Sequence, residues 1–437
     1  MCYNRELKKK CIMQSLLKSK EKEVGYMNDK YLVINGGSSS LKFSLYAMPE
    51  KEVIVNGIVE KIGIPGSSYT LKSNAGKIEE ETPVKNHTEA VNVMLDALQK
   101  NHFIEDISEI KGVGHRVLHG GEFYSDSVVI DSEVLNNIKA LTKLGPIHHP
   151  GEIAGIESMQ TLLPGIPQVA VFDTAFHQTM PKENYMYAVP YSWYEENSVR
   201  KYGFHGTSHK YITKTMQEKL GTKNVNLIIC HIGSGASISC IKDGKCLNTT
   251  MGLTPLDGLV IGTRCGQIDP SILEYICHER NLTIEQVTEA LNHESGIKGI
   301  GGESDFRDLE AKALAGDENA QLALKMFKDS IVKFIAQYYF ELNGDVDAIV
   351  FTAGIGENSY GLREDIVNTI SRPLGITLDK EANDNISRRS KYQEGEITTS
   401  DSPIKVMVIP TDEESVILDD TVRLSEAKEK SKVFEKK

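Results

Sequence analysis

The sequence predicts an α/β protein built from two similar halves that share a ligand cleft. Residues 31–34 and 227–230 are apolar runs, and each leads through a glycine- and serine-rich turn into a second apolar run. This pattern is typical of a strand, a tight turn and a strand. The chain has 437 residues, more than one hydrophobic core usually supports. The repeated hairpin therefore indicates an internal duplication, with one hairpin from each half facing the cleft.

Three glycine-rich turns carry the functional signal: residues 35–40 (NGGSSS), 231–237 (HIGSGAS) and 353–359 (AGIGENS). Glycine lets the backbone approach a ligand closely, so successive N–H groups can converge on phosphate oxygens. No segment fits G-x-x-x-x-G-K-[ST], and none fits G-x-G-x-x-G after a strand, which excludes Walker-type and Rossmann-type binding. The turns predict a nucleotide held by backbone amides from separate parts of the chain.

The other elements follow from hydrophobic periodicity. The third turn connects a strand at 348–351 to a helix near 362–367. The N-terminus of that helix is also suited to binding an anion. Two of the predicted strands end in charged residues. Such residues are expected where a ligand-binding cleft lies at the ends of the strands. The charged tail from residue 428 is expected to fray. Further strands are predicted at 53–57, 111–117, 169–173 and 404–409, and helices at 87–99 and 320–342.

The domain limits are predicted from changes in composition. Residues 1–27 are rich in lysine and precede the first strand, so we expect a dispensable extension with Met27 as a plausible start. An aromatic-rich stretch after Pro181 places the domain crossing nearby. The first domain is expected to comprise 28–178 together with 415–437, and the second to comprise 179–414.

Composition excludes several functional classes. The net charge of −12 argues against nucleic-acid binding, which rests on a concentrated basic surface. No apolar run approaches the roughly 18 residues of a membrane span. The seven cysteines are odd in number and lack a C-x-x-C pair, as is typical of reduced cytoplasmic thiols. We expect a cytoplasmic protein that binds small anions, neither nucleic acid nor a membrane.

Two arginines beside glycines are candidates for binding such anions. Arg116 lies in HRVLHGG and Arg264 in GTRCG, where small neighbours let a guanidinium approach a ligand. The guanidinium fork matches carboxylate and phosphate equally well. The alternative for either residue is a surface ion pair.

Histidines and one acid complete the candidate chemistry. A zinc site is disfavoured because His205 and His209 lack the usual ligand spacing and Gly206 interrupts a helix between them. His205 is then either a structural histidine or a hydrogen-bond donor to a phosphoryl group. Asp173, at a strand end, is either a solvated loop acid or a group that orients an arginine or a metal-bound water.

Eight motifs together resemble the acetate kinase family, of the acetate and sugar kinase/Hsc70/actin superfamily. The resemblance runs from about Tyr31 to Ile417. It implies a duplicated actin-like, ribonuclease H-like two-domain fold with a central active-site cleft. The motifs are NGGSSSLKF (35–43), HRVLHGG (115–121), VFDTAFHQTMP (171–181), YGFHGTSH (202–209), TPLDGLVIGTRCG (254–266), DFRD (305–308), FTAGIGENS (351–359) and IPTDEE (409–414).

The resemblance also implies a reaction and roles for residues. ATP and acetate would give ADP and acetyl phosphate by in-line transfer, with Mg²⁺ or alternatively Mn²⁺, in a homodimer formed through the second domain. Arg116 matches the residue that binds the acetate carboxylate. His205 and Arg264 match residues that stabilise the phosphoryl group in flight. Asp173 matches the catalytic acid, and His148 a histidine near the transfer path.

Metal and nucleotide ligands follow from the same resemblance. Asn35 and Glu413 would support the metal ion. Lys42 would face the phosphates, together with the turn containing Ser38 and Ser40. The residues implied to line the nucleotide are His231, Ile232, Gly233, Ser234, Gly235, Asp305, Phe306, Arg307, Gly354, Ile355, Gly356, Glu357 and Asn358.

One of these roles changes on physical grounds. Acetate is already ionised at neutral pH, so its attack on a phosphoryl group requires no proton removal. Asp173 is therefore expected to orient Arg264 or a metal-bound water rather than to act as a general base.

Three alternatives remain open. Propionate kinase is the nearest, because a pocket distinguishes one methylene by only about 1–3 kcal/mol. Pyrophosphate could replace ATP, since Ser234 and Gln267 depart from the Asn and Asp usual in the family. From a different class, an actin-like assembly ATPase would share the duplicated hairpins, but the two arginines favour the kinase.

Overall fold

The structure is a computed structural model that describes residues 29–37, 39–146 and 148–435, with the backbone alone from residue 431 onward. The predicted extension at 1–27 lies outside the described residues. The chain divides into two units. The first runs to Phe172 and resumes at Glu414, and the second is Asp173–Glu413. The first unit ends several residues before the stretch after Pro181 where the domain crossing is expected, and the domain limits stay predictions.

The first unit is built on an eight-stranded mixed sheet in the order β5-β4-β3-β2-β1-β6-β8-β7. β1 pairs antiparallel with β2 and parallel with β6, and β6 pairs parallel with β8. The strands are β1 (Lys30–Gly36), β2 (Ser40–Ala47), β3 (Glu52–Glu60), β4 (Ser68–Ser73), β5 (Gly76–Glu81), β6 (Ile110–Val117), β7 (Val128–Val129) and β8 (Gln168–Phe172).

Helices cover this sheet. His87–Lys100 begins where the Asn86 side chain accepts a hydrogen bond from the Glu89 amide at 2.9 Å, and it buries Val91, Met94 and Leu98 against the strands. The helices of the first unit are His87–Lys100, Ser132–Ala140 and His149–Leu162, with 3₁₀ turns Ile107–Glu109 and Leu141–Leu144; the final helix, Glu413–Glu435, begins one residue before the unit resumes.

The second unit is built on a six-stranded sheet in the order β11-β10-β9-β12-β14-β13. β9 pairs antiparallel with β10 and parallel with β12, and β12 pairs parallel with β14. Every residue of β9 and β12 is buried, as expected for central strands covered on both faces. The strands are β9 (Leu227–Ile232), β10 (Ala236–Lys242), β11 (Lys245–Thr249), β12 (Ala348–Thr352), β13 (Gly395–Glu396) and β14 (Lys405–Val408).

Eleven helices accompany the second sheet among the described residues. None of the described helices, in either unit, has the length and apolar character needed to cross a membrane. They are Lys182–Tyr185, Tyr191–Asn197, Gly206–Leu220, Ser271–Arg280, Ile284–His293, Gly296–Gly301, Phe306–Leu314, Glu318–Glu341, Ala353–Asn358, Tyr360–Leu374 and Lys380–Asn385, with a 3₁₀ turn at Ala175–Thr179.

The two sheets repeat one topology. The order β3-β2-β1-β6-β8-β7 in the first unit matches β11-β10-β9-β12-β14-β13 in the second, with the same strand directions at each matched pairing. The first unit adds β4 and β5 at one edge. The predicted α/β fold and its internal duplication are therefore confirmed.

Three local predictions are wrong. The third glycine-rich segment is the helix Ala353–Asn358 rather than a turn, because the Glu357 side chain accepts a hydrogen bond from the Ala353 amide at 2.8 Å and holds its first turn. Gly206 begins a helix instead of interrupting one, and it takes the first helical position. The tail continues Glu413–Glu435 rather than fraying from residue 428.

Candidate active site

The second glycine-rich turn joins β9 and β10 in the second unit. Ala236 pairs with Ile232, and the Gly233 amide donates to the Gly235 carbonyl at 3.0 Å, so the turn is tight. A Cβ at Gly235 would lie 3.3 Å from Nε2 of His205, closer than most side-chain contacts. The absence of a side chain at Gly235 therefore leaves room beside His205.

The helix Ala353–Asn358 begins beside this turn. A Cβ at Gly233 would meet the Cβ of Ala353 at 3.6 Å. Ala353 adopts a φ of +66°, a strained conformation for alanine. The buried Glu357 carboxylate accepts hydrogen bonds from the amides of Ala353 at 2.8 Å and Thr411 at 3.0 Å. The strained conformation of Ala353 is thus stabilised by a hydrogen bond to a buried acid. Strained backbone of this kind is common at ligand-binding loops.

A cavity of about 500 Å³ opens between these two elements and the helix Phe306–Leu314. Glycine backbone lines one part of the cavity, and aromatic and aliphatic side chains line another part. This composition is expected for a site that binds a polyphosphate and a base. Eight residues implied to contact nucleotide line it: Gly233, Ser234, Asp305, Phe306, Arg307, Gly354, Ile355 and Asn358. His231, Ile232, Gly235, Gly356 and Glu357 do not belong to this lining, and their nucleotide contacts stay predictions.

The exposed pair Asp305 and Arg307 forms part of the cavity rim. Nε and Nη2 of Arg307 donate to the two carboxylate oxygens of Asp305 at 3.0 and 2.7 Å. This guanidinium holds the pKa of Asp305 down at about 2. The exposed arginine is therefore paired with Asp305 at the rim.

Glu310 is a cavity residue that the sequence reasoning missed. It lies one turn beyond Phe306 on the same helix and receives a hydrogen bond from Ser359 Oγ at 3.1 Å. Burial raises the pKa of this carboxyl. Glu310 therefore links the helix Phe306–Leu314 to the residue that follows Ala353–Asn358.

Asp173 lies at the start of the second unit, and its side chain is buried. Its carbonyl accepts the amide of Gly206 at 2.8 Å, and any Cβ at Gly206 would overlap that carbonyl oxygen. His205 precedes the helix in the left-handed conformation, with a φ of +57°. This backbone contact places His205 beside Asp173, and only glycine at position 206 permits it.

Arg264 is half-buried, and burial lowers the pKa of its guanidinium. Its side chain makes no hydrogen bond or ion pair to any other residue that the structure describes. Gly296 packs against its backbone, since a Cβ there would lie 2.7 Å from the Arg264 carbonyl oxygen. A half-buried cation without an internal anion is a strong candidate for binding an anionic ligand.

In the first unit, the β1–β2 hairpin carries Asn35 and Lys42 as cross-strand partners. Neither side chain bonds to another residue in the described ranges. The Gly37 amide donates to the Ser40 carbonyl at 2.7 Å, which closes the turn. Ser38 lies outside the described residues. The hairpin thus presents an amide and an ammonium group at one sheet edge.

Arg116 lies in β6 at the same sheet edge, because β1 and β6 run parallel. It is half-buried and opposite Val171 of β8. Glu152 is a buried acid that the sequence analysis missed, and its side chain accepts a hydrogen bond from the Leu118 amide at 3.2 Å. Its Cα lies 3.5 Å from the position that a Cβ of Gly36 would take. This glutamate therefore links the first turn to the segment after Arg116.

His148 immediately precedes the helix His149–Leu162 and is half-buried. Its neighbour His149 is fully buried, with Nδ1 donating to the Ile138 carbonyl at 3.1 Å. The fold therefore uses His149 internally and leaves His148 nearer the surface, with its role near the transfer path still a prediction.

Comparisons with known proteins decide the family. The acetokinase family model matches residues 30–419. The chain belongs to the acetokinase family. A curated acetate kinase from Finegoldia magna is 47% identical over 399 residues, covering 91% of this chain and 100% of the relative.

Two solved structures resemble this acetokinase-family chain closely. An acetate kinase from Porphyromonas gingivalis matches with a TM-score of 0.86 at 41% identity, covering 91% of this chain and 99% of that one. A propionate kinase from Francisella tularensis subsp. tularensis matches with a TM-score of 0.84 at 40% identity, covering 91% and 100%. The acetokinase fold therefore accommodates more than one short carboxylate among these relatives.

Proposed function

We propose that this protein is an acetate kinase, a phosphotransferase that converts ATP and acetate into ADP and acetyl phosphate. Family membership and near-complete coverage of a curated acetate kinase support this activity. The observation that carries the proposal is the half-buried Arg264, which has no anionic partner among the described residues, in the same unit as the glycine-lined cavity.

The cavity of the second unit would hold the nucleotide. Backbone amides near Gly233 and at the start of Ala353–Asn358 would bind phosphate oxygens. Arg264 and His205 would stabilise charge on the phosphoryl group during transfer, where donors placed in advance contribute most. Arg116, in the first unit, would bind the acetate carboxylate.

Divalent cation use is implied by the family, and Mg²⁺ is the cation we propose, with Mn²⁺ as a substitute. No group of three or more His, Cys, Asp or Glu side chains is placed to hold a metal within the described ranges. Mg²⁺ keeps several waters and is bound by few protein oxygens together with substrate phosphates. Asn35 and Glu413 would supply such oxygens, and the ion would neutralise polyphosphate charge.

The test is trapping of acyl phosphate as its hydroxamate, with ATP and Mg²⁺ plus acetate, propionate or butyrate. We expect product with acetate and a higher kcat/KM for acetate than for propionate. ATP hydrolysis without any hydroxamate would instead indicate an assembly ATPase.

Propionate kinase is the second candidate, because a propionate kinase is similar along the whole described fold. The order of kcat/KM for the two acids decides between them. Running pyrophosphate beside ATP tests the donor, and we expect ATP to be used, since the cavity provides apolar walls that pyrophosphate does not need.

We further propose a cytoplasmic homodimer formed by the second unit. Ser271–Arg280 buries none of its residues, and it exposes Ile272 and Tyr275 by 40% and 63%. Exposed apolar groups of this kind are common at interfaces. Sedimentation of the wild-type protein should give a dimer mass, and Tyr275→Asp should shift it toward monomer.

A further inference from the structure

Ser237 lies between two histidines in the second unit. Its Oγ is 2.9 Å from Nδ1 of His205 and 2.8 Å from Nε2 of His209. Ser237 and His209 are both fully buried. A serine hydroxyl has one hydrogen, so it can donate to only one of the two rings and must accept from the other.

The surroundings of His209 decide the direction. Its other ring nitrogen, Nδ1, is buried and has no hydrogen-bond partner among the residues that the structure describes. A hydrogen on Nδ1 would be a buried donor without an acceptor, and such orphaned N–H groups are rarer in proteins than unpaired acceptors. Burial, with His177 and His231 nearby, holds the pKa of His209 well below its ordinary value, so the ring is neutral. Its single hydrogen therefore lies on Nε2 and is donated to Ser237.

The hydroxyl of Ser237 then donates to Nδ1 of His205. This leaves the hydrogen of a neutral His205 on Nε2. That nitrogen lies on the side of the glycine turn, 3.3 Å from where a Cβ of Gly235 would be. His205 also stands immediately before the N-terminus of Gly206–Leu220 and stacks on His231 with ring centres 4.2 Å apart.

We propose that Ser237 and His209 are positioning residues that fix His205 as the neutral tautomer with its hydrogen on Nε2, aimed at the phosphate-binding turn. The inference rests on the proposed function, in which His205 donates to the phosphoryl group. A His205 with the opposite tautomer would present a lone pair to phosphate oxygens and repel them. Loss of a partner that fixes a tautomer can leave geometry intact and still slow catalysis.

The first test removes the hydroxyl with Ser237→Ala. We expect kcat to fall about tenfold or more, with the KM values for ATP and acetate changed less than about twofold, because only the donor formed for the transition state is lost. The matched control is Ser239→Ala. Ser239 is buried on the same strand and the same face, and its Oγ contacts Thr249 Oγ1 at 3.0 Å, so this variant removes an equally buried hydroxyl.

Ser237→Thr supplies the rescue. It restores a hydroxyl at the same position, and its kcat should return most of the way to that of the wild type. Equal kcat values for the two alanine variants, or no recovery with threonine, would overturn the inference.

A direct measurement determines the tautomer in the wild-type protein itself. Histidine ring ¹⁵N spectra of the wild-type protein at neutral pH should show His205 with a protonated Nε2 and a bare Nδ1, the signal being assigned by its loss in His205→Asn. A protonated Nδ1 or an imidazolium would refute the proposed relay. Failure of the proposed function would instead leave the wild-type protein without acyl phosphate formation, whatever the tautomer.

Discussion

His205 and Ala353 illustrate how single residues define the candidate site. Both adopt positive φ angles, 57° and 66°, although neither is glycine. Such conformations cost of order 1–3 kcal/mol and persist only where neighbouring groups enforce them. The Glu357 carboxylate does this for Ala353, and the contact between Gly206 and Asp173 does it for His205. The sequence showed which residues to consider, but it carried no sign that either backbone is strained.

Arg264→Ala tests the guanidinium that has no partner within the described part of the chain. We expect kcat to fall about 10²–10³-fold, because one donor to developing charge is lost. The free energy of unfolding should stay within about 1 kcal/mol or rise, since a half-buried charge is removed and no internal bond is broken. Hydroxamate kinetics and urea denaturation measure the two effects. Arg280→Ala, on an exposed helix position, is the control and should change neither. A large loss of stability with normal kcat would make Arg264 structural.

Gly354 and Gly206 form a contrasting pair. A Cβ at Gly354 would meet no atom of the described residues within 4 Å, whereas one at Gly206 would overlap the Asp173 carbonyl. Gly354→Ala should therefore leave the melting temperature unchanged and raise the KM for ATP, because the open space belongs to the cavity. Gly206→Ala should lower the melting temperature and the activity together. An unchanged ATP KM in Gly354→Ala would remove that residue from the nucleotide site.

At the scale of elements, the helix Tyr360–Leu374 supports one wall of the cavity through the fully buried Arg363. Its guanidinium donates to the carbonyls of Gly356 and Glu357 at 2.9 and 3.0 Å. Two more bonds, each of 2.9 Å, reach the carbonyls of Asn383 and Ile386, and Nε donates to Asn383 Oδ1. One side chain thus joins the end of a short helix to the segment that precedes the cavity residues at 387 and 389.

Arg363→Lys tests this support. An ammonium group has three donors and no planar fork, so it cannot satisfy the same five acceptors. We expect the free energy of unfolding to fall by about 3 kcal/mol and the KM for ATP to rise more than the KM for acetate. Denaturation and steady-state kinetics with each substrate varied provide the readouts. Equal changes in both KM values would assign Arg363 to general stability only.

At the scale of the whole molecule, both units bury neutral histidines. Burial lowers the pKa of His115 in the first unit and His177 in the second to about 4. His115 Nε2 donates to Gln168 Oε1 at 2.6 Å, and His177 Nε2 donates to the Phe204 carbonyl at 2.8 Å. Each unit therefore contains a buried histidine whose environment disfavours the protonated form.

Stability should consequently fall as the pH drops from about 6.5 to about 4. The unfolded chain binds the histidine proton below about 6.5, whereas the folded chain resists it down to about 4, so acid favours unfolding. Each histidine accounts for about 2 kcal/mol between pH 7 and 5. Urea denaturation of His115→Gln should show a pH dependence smaller by that amount, whereas exposed His278→Gln should behave as wild type. An unaltered slope in His115→Gln would contradict this.

The sequence by itself determined the duplication, the central strands and the glycine-rich segments, because apolar periodicity and glycine are local signals. It also singled out Arg264 and His205 by their neighbours. Only the tertiary structure decided that Ala353–Asn358 is a helix and that Gly206 begins one, since Glu357 and Asp173 supply the contacts. Glu310 and the contact of Ser237 with two histidines were missed for the same reason. The function of an acid or a serine in an ordinary helix or strand depends on the residues that the fold places beside it.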